Sequence, residues 1–295
     1  MQTRTLTLSA ALIALLSACA QTPSQQTTAP HSSTAEQVGT HTENRGAVIH
    51  QIMRDAGIDE IIEQIPAMVA MGFDQQPMPP VNQRDYLAFR DSLIRAFDPP
   101  TIRQDFSDYL RQQYDARQYA ELLAMLKQPL VAKMTALELE SQTPEAQQEL
   151  MQFANVMMGQ VSPERLALMQ RLDKSLQATE ISVDMQVMMA RATMEGINTL
   201  VPAAQRIPAK QMEQMLEQMR AQAIYPTRQG TLVQFVYAYR PVTDAELQQY
   251  IQLNESPLGL WTTELFRNAW IAVTEGVSAR LAKEMKNKFV EQNAL

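Results

Sequence analysis

An all-α fold, a multi-helix bundle, is what this 295-residue sequence predicts, on three observations. Glycine is scarce and scattered, nine residues in all. From Ala47 onward apolar residues recur at helical spacing, separated by Gln, Glu, Ala, Leu and Met, all of them good helix formers or neutral ones. Alternating β-branched stretches are absent apart from TLVQFVYAY at 231–239. A lone strand there would have no partner, so that segment is read as helix too.

The elements follow in order from this spacing and from the start signals. Helices are expected near 47–73, 83–97, 100–116, 117–127, 129–141, 144–158, 163–195, 209–223, 227–239, 244–255 and 257–290. Gly57 is placed to break the first of these and Pro66 to bend it. Thr143-Pro144-Glu145 and Ser162-Pro163-Glu164 each set a capping hydroxyl ahead of a proline in the first turn. Thr243-Asp244-Ala245-Glu246 has the spacing of a capping box, in which Thr and Glu satisfy orphan backbone donors reciprocally. Ser256-Pro257 opens the last helix. That helix carries Trp261, Leu265, Ala269, Val273, Val277, Leu281, Met285 and Phe289 at intervals of four. Such a ladder drifts about 40° per step around the axis, so the helix should touch different neighbours along its length.

The N-terminus sets the address. Residues 1–18, MQTRTLTLSAALIALLSA, combine a basic Arg4 with an apolar run from Leu6 to Leu16. The run is shorter than the roughly 20 residues a membrane span requires and suits a secretory signal. Leu16-Ser17-Ala18-Cys19 resembles the lipobox of bacterial lipoproteins. The resemblance implies cleavage before Cys19, a diacylglycerol thioether on its thiol and acylation of the new amine. Cys19 is the only cysteine, so lipidation would consume the single thiol of an exported chain. Ala20 stands where inner-membrane retention in such lipoproteins calls for Asp. The implied location is therefore the outer membrane, lipid-anchored and facing the periplasm, and the implied partner is the membrane itself.

Without the leader the chain carries 24 basic and 32 acidic side chains, a formal net charge of −8. That balance argues against nucleic acid, whose phosphates call for a basic surface. No later apolar run is long enough to span a bilayer. With no second cysteine, the fold must rest on a hydrophobic core. Residues 19–45 are rich in Gln, Thr, Ser and Pro, with Val38 the one large aliphatic, and read as a lipidated cysteine followed by a disordered tether.

The remainder divides into a first helical unit at 46–160 and a second at 161–295. A shift of 128 residues lays VTDAELQQYIQLNESPLG (242–259) on YDARQYAELLAMLKQPLV (114–131), with Pro257 on Pro129, Leu258 on Leu130 and Ile251 on Leu123. The two units are read as degenerate copies packed together.

Within the second unit, Thr243, Glu246, Leu247, Ser256, Pro257 and Gly259 resemble the signature of an uncharacterised proteobacterial family, domain-of-unknown-function family 2059. Val242, Asn254 and Trp261 depart from its pattern. The resemblance implies an all-helical secreted domain without assigned catalytic residues. Read physically, the motif is architecture: Thr243 and Glu246 cap one helix, Ser256 caps the next, Pro257 presets its first turn and Gly259 allows close helix approach.

Catalytic chemistry has little to draw on. The three histidines are His31, His41 and His50, and no nucleophile elbow, phosphate loop or zinc-protease motif occurs. Carboxylate pairs among Asp55, Asp59, Glu60 and Glu63, or Asp105 and Asp108, read as solvated helix faces. The sequence is thus read as non-enzymatic and without a cofactor or metal. The unusual count is 19 methionines. Met185, Met188 and Met189 share one helix face, and Met212, Met215 and Met219 another. Thioethers bind Cu(I), but they also fill core gaps and line pliable apolar grooves, and core is the preferred reading. Two function classes stay open. One is a non-catalytic protein-partner or scaffold module of the cell envelope. The other is a helical carrier of apolar small molecules such as fatty acyl chains.

Overall fold

The structure, a computed structural model, describes residues 34–74, 83–156, 158–200 and 203–292. All its regular elements are helical among the described residues. They are α1 (Thr34–Asp55), α2 (Ile58–Asp74), α3 (Gln83–Ala96), α4 (Pro99–Gln112), α5 (Ala116–Leu126), α6 (Pro129–Glu140), α7 (Pro144–Val156), α8 (Pro163–Leu176), α9 (Ala178–Leu200), α10 (Ala209–Ala238), α11 (Asp244–Glu255) and α12 (Pro257–Gln292), with short 3-10 turns at 158–160 and 203–205. The leader and Cys19 lie outside the described residues.

Three boundaries differ from the sequence reading, and for the last two the structure shows the physical reason. First, helix begins at Thr34, inside the segment read as tether. Second, the single helix expected over 163–195 is two. Gln177 adopts a left-handed conformation at φ 51°, and the first turn of α9 is capped across this break by Asp173. Its carboxylate accepts from the Thr179 backbone N–H at 2.8 Å and from the Thr179 hydroxyl at 2.8 Å. Third, α10 continues through Pro226, where two helices were expected. Proline removes one backbone donor, and here Gln222, whose carbonyl loses that donor, lies on the exposed side with Tyr225 and Pro226. The segment 231–239 is helical through Ala238, as read, with Gly57 at φ 61° breaking α1 from α2.

α1 packs on α4 and α5, and α2 on α3 and α4; in the second half α8 packs on α10 and α11, and α9 on α10. Start positions correspond at 128 residues: Asp115 and Thr243 cap α5 and α11, while Gln128 and Ser256 precede Pro129 and Pro257. The earlier helices correspond at 120 residues. Buried Ile49, Ile52, Ile61 and Ile65 match buried Met169, Leu172, Ile181 and Met185. At the same offset, left-handed Gly57 matches left-handed Gln177. Arg45, over the Tyr114 ring at 5.0 Å, matches Arg165, which donates to the backbone carbonyls of Tyr239 at 2.7 Å and Val242 at 2.9 Å. In both halves an arginine from the first helix thus reaches the turn between two later ones.

The last helix of each half crosses to the other. α12 runs over α3, α4 and α5 and also packs on α8, α9 and α11, the drift its ladder predicts. Its Leu265, Ala269, Val273, Val277 and Leu281 are buried. Trp261 meets Tyr119 edge-on at 5.9 Å, and Trp270 meets Phe106 at 5.2 Å. In the reverse direction the shorter α6 packs on α10 and α11. One contiguous hydrophobic core results, continuous from Ile49 to Leu281.

Candidate functional site

The methionine faces lie on an antiparallel helix pair. Asn198 closes the α9–α10 turn by bonding both the N–H and the carbonyl of Ile207, each at 2.8 Å. Arg191 bonds Glu213 and Arg220 bonds Asp184. That register sets Met189 level with Met215 and Met185 level with Met219. Met185 is buried, with the Thr274 hydroxyl 3.8 Å from its sulfur, and Met212 is buried too. Met188 and Met189 are half-buried against the main core. Met215 and Met219 are half-buried on α10. Asp184 ties this pair to α12, since Arg267 reaches its second oxygen at 2.8 Å.

The Thr243–Gly259 motif is built as its residue types dictate. The Thr243 backbone N–H donates to Glu246 Oε2 at 3.0 Å, and the Glu246 N–H donates to Thr243 Oγ1 at 3.3 Å, a closed capping box. The Gly259 N–H donates to Ser256 Oγ at 3.1 Å. A Cβ on Gly259 would sit 2.3 Å from the Leu253 carbonyl oxygen and 2.6 Å from Asn254 Cα, so this position admits no side chain without a backbone shift. Glu246 has a second role that the motif does not announce. It accepts from Lys133 of α6 at 2.7 Å, which joins the halves. The Lys133 ammonium, then the Thr243 donors, lower its carboxyl to about 2.

Most of the carboxylates singled out from the sequence are taken up in ion pairs. Asp59 and Glu63 both accept from Arg103, at 2.8 and 2.7 Å. Asp105 accepts from Arg280 at 2.6 Å and Asp108 from Arg111. Glu60 and His50 are exposed, and buried Asp55 accepts from Gln51.

The convergent group is elsewhere. Glu138 on α6 is buried, and its Oε1 accepts from the phenols of Tyr239, the C-cap of α10, and Tyr250 on α11, the latter at 3.3 Å. The two phenol rings lie 6.3 Å apart. Burial pushes the Glu138 carboxyl up to about 8 against the pull of the two phenol donors. Burial, then the neighbouring carboxyl, raises the Tyr239 phenol well above its usual value. Burial thus favours the neutral acid here, held between two phenols. The sequence did hold a signal for it. Val131, Met134, Thr135 and Glu138 stand at i, i+3, i+4 and i+7, which is one helix face, and all four are buried. Its partners lie 101 and 112 residues away, and no local pattern names them.

A hollow of about 500 Å³ opens on α3, lined by Gln83, Arg84, Leu87, Ala88 and Asp91. The Tyr237 phenol donates to Glu149 of α7 at 2.8 Å, which pins the helix that links the halves. Among the described residues no helix is long and apolar enough to cross a membrane. The chain matches no family model, no curated protein and no solved structure.

Proposed function

We propose that the chain is a non-catalytic lipoprotein of the bacterial outer membrane, facing the periplasm and serving as a partner-binding or scaffold module of the envelope. The observation that carries this reading is Leu16-Ser17-Ala18-Cys19, the one cysteine of the chain placed directly after an apolar leader. Several acyl chains on one residue give stable attachment, since each buried CH₂ contributes roughly 0.8 kcal/mol. The helical body behind the anchor supports a binding rather than a catalytic role. Its surface carboxylates Asp59, Glu63 and Asp105 are occupied in ion pairs with arginines of other helices. The resemblance of Thr243–Gly259 to domain-of-unknown-function family 2059 points the same way, because every matched polar residue of that stretch caps or packs a helix.

The test begins with the full chain expressed in a bacterium that has an outer membrane. Wild type should take up labelled palmitate and sediment with outer membranes after a salt wash, and Cys19→Ser should do neither. A Cys19→Ser variant that still sediments would overturn the anchor. Crosslinking of intact envelopes should then retain a discrete protein partner with wild type.

A second reading, a carrier of apolar molecules, draws on one feature: Met188, Met189, Met215 and Met219 are half-buried on facing helices rather than closed. Titration with a fluorescent fatty acid separates the two. Saturable binding weakened by the paired change Met188→Leu and Met215→Leu would favour the carrier, and absence of binding leaves the partner module.

A further inference from the structure

The joints between the halves are built in two different ways, and the difference isolates one residue. Where α12 crosses onto the first half, the contact is aromatic: Phe266 lies 6.1 Å from Phe106, with Trp270 beside it. Where α6 crosses onto the second half, the position 128 residues before Phe266 is Glu138. Both side chains are buried. The fold thus accepts an apolar side chain at this place in one joint and holds a carboxyl in the other. Replacing a buried polar group by an apolar one of similar volume is often neutral or stabilising. A carboxyl at such a place needs a reason other than the stability of the joint.

We infer that Glu138, Tyr239 and Tyr250 form a proton-operated latch that holds α6 to α10 and α11 while the carboxyl is neutral and loosens that joint when it ionises. Ionisation sends the carboxyl proton to water and leaves a carboxylate with two phenol donors inside a core. The two phenol donors are the groups that favour the carboxylate, and they offset its burial only in part. From the C-terminal cap of α10 the titratable neighbour is Tyr239, and from α11 it is Tyr250. On α5, Tyr119 donates to the Leu110 carbonyl, Arg117 bonds Glu121 on the exposed face, and Lys127 is exposed. On α6 itself Lys133 is engaged by Glu246, and Glu140 is exposed. Separating α6 from α10 and α11 hydrates the carboxylate, so the ionised form favours the open joint. Glu138 is therefore a residue through which a rise in pH acts on the contact between the halves.

The sign follows from linkage. A carboxyl raised by folding binds its proton more tightly in the folded chain, so stability falls as pH rises from the unfolded value through the folded one. The experiment uses the full helical chain in three forms: wild type, Glu138→Gln and Glu138→Leu. Melting temperatures and amide exchange across 129–140 are read between about pH 6 and about pH 9, and the carboxyl carbon of Glu138 is titrated by NMR in wild type. The expected result has three parts. The carboxyl midpoint lies well above the ordinary value of about 4.3. Wild-type melting falls by several degrees over this range, whereas both variants change much less. Exchange in α6 rises in wild type beyond the intrinsic base-catalysed increase. An ordinary carboxyl midpoint overturns the inference even where a variant fails to fold. Parallel melting profiles in wild type and a folded variant overturn it as well.

Discussion

Single residues in the Thr243–Gly259 stretch have roles separable by substitution. Gly259 packs its Cα against the end of α11, where an added Cβ meets backbone rather than a movable side chain. Gly259→Ala is expected to cost about 1–3 kcal/mol in denaturant unfolding, the range for forced overpacking. Pro257→Ala should leave the fold intact, since proline in the first turn only presets φ. Thr243→Ala removes one side of the capping box and should cost about 0.5–2 kcal/mol. Glu246 adds an acid-side signature. Its carboxyl is lowered to about 2, first by Lys133 and then by Thr243. A lowered carboxyl contributes stability that is present above its unfolded value and lost as pH falls through the folded one. Glu246→Gln should therefore flatten the loss of stability between about pH 4 and about pH 2, seen as a shallower acid limb in melting temperature.

At the scale of the element, the α8–α9 break is the informative case. Gln177 holds a left-handed backbone that glycine adopts at no steric cost, as Gly57 does at the matching break in the first half. Gln177→Gly is expected to raise stability by about 0.5–1 kcal/mol, from relief of the left-handed strain less the added entropy of the unfolded glycine. The break also depends on Asp173, whose buried carboxylate supplies the cap for α9. Asp173→Ala leaves the Thr179 donor without its acceptor and should cost about 1–3 kcal/mol. A neutral outcome for both changes would mean that residues 163–200 behave as one continuous helix in solution. The methionine pair α9–α10 is expected to tolerate change instead. Met188→Leu and Met215→Leu keep volume and apolar character and should each cost under about 1.5 kcal/mol.

For the whole molecule, the crossing of α12 makes the halves interdependent. α12 contributes Phe266 and Trp270 to the core around Phe106 and packs on helices of both halves. Truncation after Glu255 should therefore disrupt the first half as well as the second. Circular dichroism and exchange would show loss of protection in α3 and α4, not only in α8 to α11. The intact chain should unfold in one transition, because no surface divides the core between the halves. Two separated transitions, with the first half surviving truncation, would show that each half carries its own core.

The all-helical class, most helix starts and the core face of α12 from Leu265 to Leu281 were legible in the sequence, because they depend on spacing and capping within a few residues; Met285 and Phe289 of the same ladder lie outside the residues whose side chains are described. Thr243, Glu246, Ser256, Pro257 and Gly259 could be assigned their roles in advance for the same reason: cap geometry is local. The expectation of two similar halves also came from the sequence, through the 128-residue shift. Tertiary structure alone decided the rest. It placed a helix start at Thr34, split 163–195 at Gln177 by means of a carboxylate cap, and carried α10 through Pro226 on a solvent-facing side. It also decided that Met185 and Met212 are buried while four other methionines remain half-buried. Above all, it brought Glu138 to Tyr239 and Tyr250. The helical stripe on α6 could mark Glu138 as facing inward. What it would meet there depends on how two distant helices pack, and the shift of its carboxyl comes from burial, a property of the assembled core rather than of any stretch of sequence.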